Sequence, residues 1–364
     1  MHPILFLCSD SEIKGGGQVS LLELVKRIDR SKYLPRAIVG AHGPLFDAFV
    51  KEQVSVEAMA LPRIAPFPGP GAVLALRKIV RFIRSNAIQL VHSNDSRAHA
   101  YAGLACLFTK TPTLFHYRVS YKDGLFDTLL PLLCKKIIAV SNATAARFPR
   151  WFKDKTTVIY NSVDTDRFSP GEKPVPNPYA KGNGPIIGSV GRFGAEKGFA
   201  LLVRAVALLR KDFPDISLTL VGSGQPHEKA ALEETIRTLS MQDQVLCIDQ
   251  CAAMPDFMRA LDAYALLSEN EGLNRSILEA MACGRSVVAT RVGGTPEIIT
   301  GPSMGFMVQP GDPVSAANGL KTILEDPETR KAMEINARAR IIEAFTIQEQ
   351  VRRMEEEFDT LLKS

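Results

Sequence analysis

The 364-residue sequence has one tryptophan and six cysteines, and no two cysteines are spaced Cys-x-x-Cys. Without paired thiols or a histidine cluster beside them, neither a disulfide scaffold nor a zinc site is expected. Reduced, buried thiols suit a cytosolic chain. Long apolar runs are also missing. None reaches the roughly 18 residues of a membrane span, the nearest being broken by Lys135 and Lys136. The run Ile4–Cys8 is shorter than the ~7–15 residues of a signal h-region. The expectation is a cytoplasmic protein, at most peripheral at the inner face of the membrane. The Asn-x-Ser/Thr triplets at Asn94, Asn142 and Asn274 then read as chance matches. A large charge of one sign is absent too: 44 Lys and Arg meet 39 Asp and Glu, for a net +5. That balance is unlike a nucleic-acid binder, and 46% hydrophobic residues exclude a disordered chain.

The charge is unevenly spread. Residues 1–168 hold 23 basic and 13 acidic side chains, and residues 169–364 hold 21 and 26. The length suggests two domains, so a basic domain followed by an acidic one, with different partners, is expected.

Short apolar runs alternate with helical patterns along the whole chain, which argues for parallel sheets with crossover helices. Strands are expected at Ile4–Cys8, Ala37–Gly40, Leu90–His92, Thr113–His116 and Ile137–Val140. A second set follows at Ile186–Val190, Leu218–Val221, Val245–Ile248, Ala263–Leu267 and Val287–Thr290. Between the sets, Pro170–Pro185 holds five prolines and three glycines and reads as a linker. The expected order is a first domain over 1–168, a linker over 169–185, a second domain over 186–345 and a final helix over 346–364. Two doubly wound domains facing a cleft would place the ligand at the strand C-termini.

Three loops have the pattern of anion sites, against the plainer alternatives of helix–strand packing for the first, a solvated surface pair for the second and a tight turn for the third. Gly15-Gly-Gly17 sits between the first strand and the first helix, where bare amides and a helix N-terminus favour a phosphate. Gly191-Arg-Phe-Gly-Ala-Glu-Lys-Gly198 places Arg192 and Lys197 five apart on a glycine-rich loop, a clamp for a diphosphate. Val221-Gly-Ser-Gly-Gln-Pro-His227 begins like a dinucleotide fingerprint but has His227 at the third glycine, so a dehydrogenase is not expected. The strongest pattern is Glu271-Gly-Leu-Asn-Arg-Ser-Ile-Leu-Glu279. It puts Glu271 on a loop after a strand and Glu279 about two turns inside the helix that follows, poised to accept from adjacent hydroxyls. The amides of Gly272, Leu273 and Asn274 at that helix start would receive phosphate or sugar oxygens.

The Glu-x7-Glu pattern at 271–279, Gly-Arg-x4-Lys-Gly at 191–198 and Val292-Gly-Gly-Thr-Pro-Glu297 together resemble family 4 of the retaining glycosyltransferases. The similarity extends to Ile138-Ala-Val-Ser-Asn142 and Val158-Ile-Tyr-Asn-Ser-Val-Asp164. It is looser in the first half, at Gly15–Gly17, Leu90-Val-His-Ser-Asn94 and Phe115-His-Tyr-Arg118. The resemblance implies a GT-B fold, α/β with two Rossmann-like domains and a C-terminal helix returning to the first. It implies a nucleotide-sugar donor (a UDP-, GDP- or ADP-sugar) held by the second domain, no metal, and retaining transfer to a saccharide or lipid-linked acceptor in cell-surface polysaccharide or lipopolysaccharide synthesis. In the family's roles, Arg192 and Lys197 hold the diphosphate, Glu279 the ribose, and Glu271 lies by the transferred sugar. Gly16 and Gly17 approach the donor phosphate. Asn94 stands where the family often has histidine, with His116 as a candidate to share that catalytic role. Two alternatives stay open: an idle scaffold of the same fold, and a nucleotide-sugar epimerase.

The acceptor side falls to the basic first domain. Arg77, Arg81 and Arg84 recur along one helix pattern, Val73–Ser85, and Trp151 lies in the cluster Arg147–Lys155. Basic residues among aromatics suit an anionic membrane surface or a phosphorylated lipid-linked acceptor. A plain solvated helix face is the alternative.

Overall fold

The structure is a computed structural model that describes residues 1–13, 15–64, 68–118, 128–174 and 177–363. Lys14 of the first glycine loop, residues 175–176 of the expected linker and Ser364 at the end of the expected final helix lie outside the described residues.

The described chain forms two parallel sheets, each in its own compact unit. The first sheet holds β1 (His2–Cys8), β2 (Tyr33–Val39), β3 (Ser55–Ala58), β4 (Leu90–Ser93), β5 (Thr113–Tyr117), β6 (Lys136–Ala139) and β7 (Thr156–Val158). Its order is β3-β2-β1-β4-β5-β6-β7. The second holds β8 (Ile186–Val190), β9 (Ser217–Val221), β10 (Val245–Ile248), β11 (Ala263–Leu266), β12 (Val287–Thr290) and β13 (Phe306–Val308), in the order β10-β9-β8-β11-β12-β13. The central strands read as unbroken apolar runs because helices cover both faces. In β1, Ile4, Phe6 and Cys8 pack on one side, and Leu5 and Leu7 on the other. All ten strands expected from sequence are present. The three it missed, β3, β7 and β13, are sheet edges, where half-buried runs such as Ser55-Val-Glu-Ala58 carry no long apolar signal.

In the first unit, helices Gly16–Arg27, Pro44–Lys51 and Ile347–Lys363 cover one face of the sheet. Helices Pro70–Ser85 and Ser96–Thr109, with the short turns Leu130–Leu133 and Arg150–Lys155, cover the other. Inside that second layer His99 stacks on Phe115 at 4.0 Å between ring centroids, its Nδ1 2.8 Å from Ser93 Oγ and its Nε2 3.0 Å from the Leu130 carbonyl.

The chain divides between Asn161 and Ser162, earlier than the expected boundary at 168, and the second unit runs to Thr346. The proline-rich stretch is part of that unit. Lys181 N–H donates to Ser217 Oγ at 3.1 Å, and Thr219 Oγ1 donates to the Tyr179 carbonyl at 2.6 Å. Arg338 donates to the carbonyls of Phe168 (2.7 Å) and Thr165 (3.0 Å), which ties in the residues just before it. Proline and glycine there mark a lack of regular structure rather than a lack of tertiary contact. The final helix groups with the first unit. Its Phe358 meets Phe6 and Tyr33 edge-on at 6.2 and 5.8 Å, and Tyr33 Oη donates to Asp359 Oδ1. From Pro313 to Lys363 the chain is helical apart from breaks at Asp326, which caps the helix after it, and at Phe345-Thr346.

Candidate donor and sugar sites

Each sheet has a strand whose neighbours are reached by crossovers leaving in opposite directions: β1 between β2 and β4, and β8 between β9 and β11. The loops at the C-terminal ends of such strands diverge and leave room for a ligand. Arg192 and Lys197 lie on the loop after β8, Glu271, Gly272, Leu273 and Asn274 on the loop after its neighbour β11, Asn94 just after β4, and Gly16 and Gly17 at the helix start after β1.

In the second unit the loop after β8 pairs with the extension of β9, through Phe193 N–H to the Ser223 carbonyl at 3.0 Å. Arg192 is 57% exposed and meets Glu196, four residues on, at 2.5 Å. Lys197 turns inward, and its Nζ lies 2.7 Å from Glu271 Oε1. The Glu271 loop is clamped on both sides: Glu269 N–H donates to the Glu196 carbonyl at 2.9 Å, and Gly294 N–H donates to the Gly272 carbonyl at 3.0 Å. Gly293 makes this approach feasible. Its φ is +48°, and a Cβ there would sit 1.6 Å from the Glu271 carbonyl oxygen. The motif Val-Gly-Gly-Thr-Pro-Glu is therefore a backbone device that sets Glu271.

Asn274 caps the helix Arg275–Ala282, its Oδ1 accepting from the amides of Ser276 (2.8 Å) and Ile277 (3.2 Å). Its side chain thus serves the helix start, and Leu273 is buried. Ser276 Oγ lies 2.5 Å from the phenol of buried Tyr264, which also reaches the Val190 amide at 3.2 Å and so ties β8 to this helix. Glu279 is a little over one turn inside the helix, not two. Its side chain is 13% exposed, and Arg275 NH2 stands 3.5 Å from it. Burial pushes its carboxyl above the usual range, against the pull of Arg275 and Arg167.

Asp164-Thr-Asp166, an Asp-x-Asp triplet plain in the sequence, forms a turn: Asp164 Oδ1 accepts from the amides of Asp166 (3.1 Å) and Arg167 (3.0 Å).

In the first unit Gly16 and Gly17 open the helix Gly16–Arg27, which has no acidic residue in its first turn. Gly17 and Asn94 meet, Asn94 Nδ2 donating to the Gly17 carbonyl at 3.3 Å. The residue that joins the cluster is Arg118, which sequence reading quoted only within a looser resemblance. Its Nε donates to Asn94 Oδ1 at 3.0 Å, NH1 to Asn161 Oδ1 at 2.9 Å, and NH2 to His116 Nδ1 at 3.1 Å. Since Nδ1 of His116 accepts, its proton is on Nε2. The same Nδ1 lies 3.2 Å from His92 Nε2, which must then be the donor. Both rings are buried, and His116 Nε2 and His92 Nδ1 have no partner among the described residues. Burial, then the Arg118 charge, holds His92 down to about 3 and His116 well below its ordinary value, so both are neutral. Cys8, beside Asn94, is pushed up to about 12, mainly by burial.

The remaining candidates, Arg77, Arg81, Arg84 and Trp151, lie on the outer layer of the first sheet and not among these loops.

Residues 14–167 match the family described as Glycosyltransferase Family 4, and residues 175–340 match Glycosyl transferases group 1. The lipopolysaccharide core biosynthesis mannosyltransferase LpsB of Rhizobium meliloti is 29% identical over 235 residues, which are 62% of this chain and 66% of that protein. A Campylobacter jejuni enzyme, N-acetylgalactosamine-N,N'-diacetylbacillosaminyl-diphospho-undecaprenol 4-alpha-N-acetylgalactosaminyltransferase, is 30% identical over 63% of this chain and 62% of its own length. The matched segments thus span just under two thirds of these two relatives. The crystal structure of Anabaena HepE in complex with UDP and glucose superposes over 99% of this chain and 100% of that one, with a TM-score of 0.87 at 24% identity. With its two halves matched in turn and the GT-B fold shared over nearly its whole length, the chain belongs to the family 4 glycosyltransferases.

Proposed function

We propose that this chain is a retaining, metal-independent glycosyltransferase. It moves a sugar from a nucleotide diphosphate-sugar to a saccharide or lipid-linked acceptor in cell-surface polysaccharide or lipopolysaccharide synthesis. The observation that carries the reading is the Lys197–Glu271 contact of 2.7 Å beside Arg192, at the divergence of the β8 and β11 loops. It sets two cations and a nearly buried carboxylate where a diphosphate and its sugar would lie together. HepE's complex with UDP and glucose and the Campylobacter enzyme's diphospho-undecaprenol substrate support a donor and acceptor of these classes.

When the sugar leaves, negative charge builds on the diphosphate. Arg192 and Lys197 stabilise that charge, aided by the amides of Gly272, Leu273 and Asn274 at the helix start. Glu279, largely withdrawn from water, accepts from the ribose hydroxyls, and Glu271 orients Lys197 and meets the transferred sugar. The departing diphosphate guides the acceptor hydroxyl to the face it leaves, which keeps the anomeric configuration. In the first unit the Gly16 and Gly17 amides serve the donor phosphate. Asn94 and the Nε2–H of His116 serve sugar oxygens.

Thermal unfolding with UDP, GDP, ADP and their sugars tests the reading. One nucleotide should stabilise the protein by RT ln(1 + [L]/Kd), and an Arg192→Ala/Lys197→Ala variant should lose the response. No stabilisation by any of them would make the chain an idle scaffold. The product anomer, read by proton NMR, tests retention, and full activity in EDTA tests metal independence. Interconversion of the free nucleotide sugars would instead indicate an epimerase.

A further inference from the structure

The two layers on the first sheet differ in charge. The helices Gly16–Arg27, Pro44–Lys51 and Ile347–Lys363 carry seven acidic and six basic side chains. The layer on the other face, formed by Pro70–Ser85, Ser96–Thr109, Leu130–Leu133 and Arg150–Lys155, carries eight basic side chains and one acid, Asp154. From Ala58 to Lys153 the sequence has fourteen Lys and Arg against three Asp and Glu. One of those three, Asp95, is engaged by Ser9 and by the Ala98 amide as a helix cap.

This basic layer also has large apolar side chains on its outside. Leu74 is 54% exposed, Leu107 and Phe108 63% each, Leu132 61% and Trp151 72%. The elements are contiguous. Arg84 NH2 donates to the Phe108 carbonyl at 3.1 Å, joining the two long helices. Gly103 lies directly against Leu133, and Lys155 Nζ donates to the Pro131 and Cys134 carbonyls. Helix Pro70–Ser85 buries Ala72, Ala75, Ile79 and Phe82, so Arg77, Arg81 and Arg84 point away from the core. The second layer therefore presents exposed Leu, Phe and Trp together with an excess of cations, and no described helix is long and apolar enough to cross a bilayer. A neutral or cationic protein surface does not fit it; an anionic surface that takes side chains a few ångströms deep does.

We propose that this layer docks on the surface of a bilayer containing anionic lipid, with Leu107, Phe108, Leu132 and Trp151 entering the headgroup region and Arg77, Arg81 and Arg84 meeting lipid phosphates. The proposal goes beyond the donor-site reading and does not rest on it. Trp151, the single tryptophan, is a built-in reporter. With the full chain, its emission should shift to the blue on adding phosphatidylcholine vesicles that contain phosphatidylglycerol, and not on adding phosphatidylcholine alone. The shift and co-sedimentation should disappear at about 1 M salt, where screening acts within about 3 Å. Arg77→Gln/Arg81→Gln/Arg84→Gln should weaken vesicle binding on the order of a hundredfold. Leu107→Ser/Phe108→Ser should weaken it as well, and Arg352→Gln/Arg353→Gln on the other face should not. All variants should keep the wild-type nucleotide-induced thermal shift, which separates this test from that of the donor site. Emission unmoved by anionic vesicles, or binding that survives both patch variants, would overturn the proposal. So would a blue shift that follows protein concentration without lipid, since it would assign the face to a second copy of the chain.

Discussion

Lys197 Nζ and Glu271 Oε1 lie 2.7 Å apart, with side chains 22% and 8% exposed. One is the last cation of the β8 loop and the other the second carboxylate of the β11 loop, after Glu269. Lys197→Ala strands a nearly buried carboxylate and, on the proposed reading, takes a cation from the leaving diphosphate. A single such charge is worth about 3–4 kcal/mol of barrier, or 10²–10³ in kcat. Lys197→Arg should recover part of the loss. Arg192 is far more exposed, and Arg192→Ala should act more through KM. Steady-state kinetics with the stabilising nucleotide sugar separates the two.

Gly293 holds its loop against the Glu271 backbone, so Gly293→Ala should act on the site without touching any charge. The added methyl would meet a carbonyl oxygen at 1.6 Å, and the loop must move. Activity should fall by at least the Lys197→Ala factor, with a lower melting temperature. Gly311→Ala is the control, with φ +80° and no atom within 4 Å of its Cβ. It should cost only the left-handed backbone term, roughly 1–2 kcal/mol, and leave kcat alone.

Arg118 fixes two imidazole tautomers through one contact, NH2 to His116 Nδ1 at 3.1 Å. Nitrogen NMR of the histidines should show both His92 and His116 protonated at Nε2. Arg118→Gln should redistribute those tautomers and lower kcat with little change in nucleotide binding. Unchanged histidine spectra in the variant would refute the assignment.

Buried neutral histidines make stability depend on pH. His92 and His99 are held at about 3, in each case chiefly by burial, and His116 is also lowered. Their unfolded values lie near 6.5. As pH falls, the unfolded chain therefore takes up protons that the folded chain refuses. Stability should be level above about pH 7.5 and should decline below about pH 6.5, by up to about 1.4 kcal/mol per pH unit for each histidine. Urea unfolding at pH 7 and pH 5 measures the slope, and His99→Gln should reduce it by up to one proton's share.

Much of this was legible in the sequence. Strands buried on both faces declare themselves as apolar runs, and Arg192, Lys197 and Glu271 are charged residues at strand ends among glycines. What the sequence concealed depends on distant contacts. Edge strands such as β3 have too little burial to leave a pattern. The loop clamp by Gly293 and the joining of Gly17, Asn94, Asn161 and His116 by Arg118 bring together residues up to 144 positions apart. The stretch 169–185 looks like a linker because composition cannot show that Lys181 and Tyr179 bond to β9 residues.

The membership of Ile347–Lys363 in the first unit has a consequence for synthesis of the chain. Ser162–Thr346 is one continuous segment and can fold as soon as it leaves the ribosome. The first unit cannot, because Phe358 and Met354 are part of its core and are translated only after the whole second unit. One face of β1 and β4 therefore stays open until the helix Ile347–Lys363 has been made, so the half begun first is completed after the half that follows it.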